Sequence, residues 1–155
     1  MKNELKSKTR LAIIQYIFLV LSRKNVDLEK NKEEFENYFY GKIFSNISDQ
    51  DEFKLIYNKN FFSKLSDNFN KFYKKKDISK NLNNYIDFNR KFEKWDLFNQ
   101  AIVISILSEL SFTVKEKTII VLNDYLNVAK NFVPIKEVKM INAVVDKYLN
   151  DKKIL

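Results

Sequence analysis

The chain contains no histidine and no cysteine, and only one glycine and one proline among 155 residues. The first two absences exclude thiol nucleophiles, imidazole bases, disulfides and the usual zinc sites. With Gly41 as the sole glycine, neither a phosphate-binding loop nor a dinucleotide fingerprint can form. Sheet proteins need frequent turn residues, so their scarcity favours an all-α domain. Carboxylates remain available for magnesium, but no paired acidic motif stands out, and a metal-dependent nuclease is the weakest reading. The sequence calls for no cofactor and no catalytic residue. Lack of cysteine fits a cytoplasmic protein.

What is present bounds the chain further. A hydrophobic content of 45% over this length suffices for one domain, residues 1–155, with its own core. Twenty-eight basic against 20 acidic residues give a net charge of +8. That balance suits a polyanion, either nucleic acid or an anionic membrane surface. Richness in Lys, Asn, Ile and Phe, with only the arginines Arg10, Arg23 and Arg90, fits an AT-rich coding sequence, which accounts for part of the charge.

The N-terminal stretch "MKNELKSKTRLAIIQYIFLVLSRK" has the basic start and apolar run of a signal peptide. Gln15 interrupts the run, no small-residue cleavage site follows, and the run is too short for a membrane span. It reads instead as a first helix with Leu11, Ile14, Phe18 and Leu21 on one face. Asp27 starts a second helix that ends between Gly41 and Asn46. Ser48 or Asp49 opens a long third, whose Phe53, Ile56, Tyr57, Phe61, Leu65, Phe69 and Phe72 recur every three or four residues and which ends at "KKKD" (74–77). Tyr85, Phe88, Phe92 and Trp95 mark a fourth. "LFNQAIVISILSEL" is apolar nearly all round and reads as a buried central helix. "TVKE" (113–116) has the pattern of a capping box, and Pro134 suits the first turn of a last helix. Aromatic residues at helical spacing belong to a core before they belong to a base-stacking platform.

Two asparagines stand on faces that look built for burial. Asn123 lies on a stripe formed by Ile119, Ile120 and Leu126, and Asn142 lies four residues after Val138 and three before Val145. A buried carboxamide without partners costs about 1–3 kcal/mol, so both are expected to bond main-chain groups and tie the C-terminal helices together. Lys139 and Asp146 share the Asn142 side of the last helix and are expected to reach solvent or a partner, as is Lys130.

These asparagines fall inside a longer resemblance. From Leu107 to Leu149 the segments "SEL", "LNDYLNVAKNF" and "KMINAVVDK" follow one another in the order, and at the spacing, of the "YEL", "INE…LAK.F" and "KFVNGVLD" segments of the bacterial transcription antitermination factor NusB. Near the N-terminus "RLAIIQYIF" (10–18) resembles that family's "ARE.ALQALY", matching at Arg10 and Gln15. The matching blocks cover roughly a third of the chain.

The resemblance implies an all-α, NusB-like bundle of about seven helices in two subdomains. It implies a protein that binds rather than catalyses, engaging boxA-type single-stranded leader RNA together with ribosomal protein NusE, within the elongating RNA polymerase complex. It implies an RNA-binding surface comprising Lys2, Lys6, Lys8, Arg10, Gln15 and Phe18, the cations standing at the exposed start of the first helix. The chain departs from the family where Phe18 replaces a usual tyrosine, where Gln100 and Ile104 replace arginines, and where Val133 replaces a glycine. The alternatives are a degenerate NusB-like module that docks to a protein without RNA, and a basic amphipathic protein resting on an anionic membrane.

Overall fold

The computed structural model describes residues 1–23, 27–39, 56–75, 77–87 and 90–152. Among these residues the chain is all-helical: α1 (Asn3–Ser22), α2 (Leu28–Phe39), α3 (Lys59–Lys75), α4 (Ile78–Asn83), α5 (Leu97–Leu110), α6 (Thr118–Ala129) and α7 (Ile135–Asp151), with single 3-10 turns at Phe92–Lys94 and Lys115–Lys117. Seven α-helices stand among the described residues, as the expected all-α class requires.

The bundle is organised around two helices. Every residue of α5 from Asn99 to Leu110 is buried, as its all-round apolar sequence requires. Its internal hydroxyls are satisfied by the helix itself, Ser105 Oγ donating to the Ala101 carbonyl at 2.6 Å and Ser108 Oγ to the Ser105 carbonyl at 3.1 Å. The second is α1, which makes its most extensive contact with α5 and also packs on α2, α3 and α6. Enclosed in this way, α1 buries every residue from Thr9 to Ile17, not only the one face expected, while Phe18 and Leu21 are only half-buried. α7 closes the far side against α5 and α6.

Local chemistry sets the helix starts. Asp27 Oδ1 accepts from the Lys30 amide at 3.1 Å, Asn58 Oδ1 from Phe61 at 2.8 Å, Asp77 Oδ1 from Lys80 at 3.2 Å and Asp96 Oδ1 from Phe98 at 2.9 Å. Asn58 also donates its amide to Thr9 Oγ1 at 3.0 Å, which ties the entry of α3 to α1. Pro134 stands one residue ahead of α7, where its missing N–H leaves nothing unsatisfied.

Three local expectations are corrected. The third helix begins at Lys59 with Asn58 as its cap, after exposed Ile56 and buried Tyr57; residues 40–55, and with them Ser48, Asp49, Phe53 and the expected end of the second helix, lie outside the described residues. Among its described residues, the aromatic series from Tyr85 to Trp95 forms no α-helix. After α4 the chain turns back so that Asn83 Oδ1 accepts from the Phe92 amide at 2.8 Å, and Phe92 and Trp95 reach the core from a 3-10 turn; Phe88 lies outside the described residues. "TVKE" does not cap α6. Thr113 Oγ1 donates backward to the Glu109 carbonyl at 2.7 Å, which also accepts from the Phe112 amide at 3.1 Å, and α6 starts only at Thr118.

The aromatic residues do build the core. Tyr16 meets Phe35, Phe62 and Phe69 edge-on with ring centroids 5.7, 5.7 and 6.0 Å apart, and its hydroxyl donates to the Leu28 carbonyl at 3.1 Å.

Candidate nucleic-acid interface

Where α1, α5 and α6 meet, the bundle encloses charges. Arg10 donates through Nε and Nη2 to Glu109 at 3.0 and 2.7 Å, and through Nη1 to Asp124 at 2.7 Å. Tyr125 donates its hydroxyl to Glu109 at 2.6 Å, and Ser7 donates to Asp124 at 2.5 Å. The guanidinium also lies against the Phe61 and Tyr125 rings, 5.4 and 5.6 Å from their centroids. Arg10 and Glu109 are each only 7% exposed. Burial opposes the Arg10 charge, but the hydrogen bonds and charge of Glu109, and then Asp124, outweigh it and hold its pKa above the ordinary value. Burial first, then the Glu109 carboxylate, pushes the Tyr125 hydroxyl well above the ordinary tyrosine range. The bidentate pair with Glu109 ties α1 to α5 in a defined geometry, and the single bond to Asp124 adds α6.

This geometry corrects part of the expected RNA surface. Arg10 is an interior ion-pair partner, because two carboxylates from distant segments converge on it, and it is not free to meet a phosphate. Gln15 is 3% exposed and belongs to the core. Phe18 is half-buried, with its ring 5.8 Å from Phe98, which in turn stands 6.2 Å from the exposed Phe132. Gln100 and Ile104 are likewise interior, Gln100 Nε2 donating to the Trp95 carbonyl at 2.8 Å.

The lysines behave as expected to different degrees. Lys2 and Lys8 are exposed, Lys8 pairing with Glu4 at 3.3 Å, and Lys6 is half-buried. Lys130, Lys139 and Asp146 are exposed.

The asparagines are a clear correction. Asn123 and Asn142 are both exposed. α6 buries Val121, Leu122, Tyr125, Val128 and Ala129, which turns Ile119, Ile120, Asn123 and Asn127 outward. The stripe that carried Asn123 is therefore the solvent face. Ile119 and Ile120, 53% and 69% exposed, follow the exposed Phe112 and Val114 along the chain between α5 and α6, and Lys71 Nζ lies 5.8 Å from the Phe112 ring centroid. Such a concentration of exposed apolar side chains is the usual mark of a contact surface.

Sequence reasoning missed a groove of about 640 Å³ beside the first turns of α7, lined by Arg90, Trp95, Asp96, Asn99, Lys136, Glu137, Lys139, Met140 and Ala143. Its lining comes from two segments separated by some 40 residues, so no local pattern announces it. Among the described residues no group of three or more carboxylates could hold a metal ion, and no helix is long and apolar enough to cross a membrane. Comparison with protein-family models, curated proteins and solved structures gives no match for this chain.

Proposed function

We propose that this chain is an RNA-binding transcription antitermination factor of the NusB type, acting in the cytoplasm on boxA-type leader RNA together with ribosomal protein NusE and the elongating polymerase. One observation carries the reading. Three of the segments that resemble NusB, "RLAIIQYIF", "SEL" and "LNDYLNVAKNF", each contribute a charged residue, Arg10, Glu109 and Asp124, to a single buried network. Segments aligned only by order and spacing thus meet through complementary charges, as expected if the resemblance reflects a shared fold. The net charge of +8 and the exposed Lys2 and Lys8 supply the attraction to phosphate. Phe112, Val114, Ile119 and Ile120 supply an apolar surface for the protein partner.

The test is binding to a boxA oligonucleotide and to a scrambled one, with and without NusE. The expected result is weak binding alone and tighter, boxA-selective binding with NusE. A dissociation constant that NusE leaves unchanged overturns the cooperative reading. The withdrawal of Arg10 and Gln15 from the surface favours one second reading, a NusB-like module that docks to a protein without RNA. That reading is supported if NusE binds and RNA does not.

A further inference from the structure

The groove beside α7 leaves part of that helix open to solvent. α7 turns Val138, Ile141 and Val145 into the core and sets Lys136, Lys139, Met140 and Ala143 along the groove. These four positions form one helical stripe, which runs for two turns, or about 10 Å. Lys136, Lys139 and Ala143 are exposed and Met140 is half-buried, so an incoming group reaches them without rearrangement. Arg90, also exposed, joins them from the other segment of the lining. Among the described residues none of these three cations forms an ion pair. Two carboxylates share the lining, and each is already compensated. Asp96 caps α5, accepting from the Phe98 amide at 2.9 Å, and Glu137 stands in the first turn of α7. At both places the positive end of a helix offsets the negative side chain. The same end of α7 disfavours Lys136, which gains nothing from the helix that carries it.

The uncompensated cations attract an anion, and the surface between them selects its kind. Met140 and Ala143 are aliphatic. Trp95, the one aromatic residue of the described lining, is 4% exposed and offers no ring face on which a base could stack. A polynucleotide brings phosphates and flat bases, whereas a protein segment brings carboxylates and aliphatic side chains. Only the second matches cations set around aliphatic surface. A volume of about 640 Å³ has room for a few side chains. We propose that this groove docks an acidic segment of a protein partner. One aliphatic side chain of that segment rests on Met140 and Ala143, and its flanking carboxylates pair with Arg90, Lys136 and Lys139. Such a contact is weak and sensitive to salt, because its ion pairs stay exposed. It goes beyond the antitermination reading and does not rest on it: the lysines assigned there to RNA, Lys2, Lys6 and Lys8, stand at the start of α1 and line no part of the groove.

The intact protein is titrated into short fluorescein-labelled peptides and binding is followed by anisotropy. The test peptides carry a central leucine, isoleucine or phenylalanine between glutamates. Control peptides replace the central residue with serine, or the glutamates with glutamine, and a labelled oligouridylate of matching charge tests nucleic acid as the occupant. The expected result is saturable binding of at least one test peptide, weakened about tenfold when the apolar anchor is lost. Lys136→Ala with Lys139→Ala should weaken it about fivefold, the sum of two exposed ion pairs. Ala143→Glu, at an exposed helical position, should abolish binding with the far-ultraviolet circular dichroism unchanged, and Lys2→Ala with Lys8→Ala should leave binding intact. Absence of saturable binding by every test peptide overturns the proposal, as does equal affinity for the serine controls or indifference to the groove substitutions. Oligouridylate binding that Ala143→Glu abolishes, with the peptides silent, makes the groove a nucleic-acid site and overturns it as well. boxA binding without peptide binding refutes the groove and leaves the antitermination reading standing; peptide binding without boxA binding does the reverse.

Discussion

Replacing Arg10 with methionine isolates the buried network. Methionine keeps an unbranched apolar stem of similar reach but removes three hydrogen bonds, two to Glu109 and one to Asp124. Glu109 is then left in the interior with the Tyr125 hydroxyl as its remaining side-chain donor. Removing one partner of a buried ion pair costs about 3–5 kcal/mol, most of it from the charge left behind. Asp124, its side chain 22% exposed, recovers some hydration, which places the expected loss nearer the lower end of that range. For a chain of this size each kcal/mol lowers the melting temperature by roughly 2–4 °C, so Arg10→Met should melt roughly 6–15 °C below the native protein. The assay is thermal unfolding by far-ultraviolet circular dichroism at neutral pH, with Lys2→Met as the exposed control. One further result should accompany the loss. Adding Glu109→Gln to Arg10→Met should recover part of the stability, giving a coupling energy of about 1–3 kcal/mol in a double-mutant cycle. An Arg10→Met protein that melts within 2–3 °C of the native one, or an additive double variant, would refute the claim that these charges hold α1, α5 and α6 together.

Other outcomes follow from the same geometry. With Arg10 withdrawn, only Lys2, Lys6 and Lys8 remain at the start of α1 to meet phosphates, so their joint replacement by alanine should flatten the log–log salt dependence of RNA binding by about 2 units, at roughly 0.7 per contact; an unchanged slope makes them ordinary solvated charges. Asn123→Leu and Asn142→Leu, on exposed positions, should alter stability by no more than about 0.5 kcal/mol, and a fall in RNA or NusE affinity at unchanged melting temperature would mark them as recognition residues. Stability should fall as pH rises above 10, because the pKa of Tyr125 is raised in the fold: the stabilisation from its neutral hydroxyl is complete below the unfolded value of 10.0 and is lost above it. Tyr125→Phe should flatten that decline in melts between pH 9 and 11.5 (about the range in which a free phenol titrates), and a decline identical in both proteins would contradict the assignment.

The fold class and much of the helix inventory were legible in the residues themselves. α5 needed no tertiary information, since a segment apolar on every side can only be central, and its bounds at Leu97 and Leu110 coincide with those of "LFNQAIVISILSEL". Asp27 and Pro134 acted as local start signals for the same reason, each serving backbone groups within a turn of itself. The aromatic series from Tyr85 to Trp95 had helical spacing, yet its described residues form no α-helix, and the core accepts Phe92 and Trp95 from a 3-10 turn whose Phe92 amide donates to Asn83. Tertiary packing alone decided the rest. α6 carries two candidate stripes, one through Ile119, Ile120 and Asn123 and one through Val121, Leu122, Tyr125 and Val128, and periodicity cannot choose between them. α1 and α5 chose the second, and with that face packed inward Asp124 meets Arg10 and Tyr125 meets Glu109. Arg10 likewise looked like one more cation in a basic N-terminus. Its place in the interior depended on carboxylates 99 and 114 residues further along the chain, and no local pattern records a pairing made only when the helices pack.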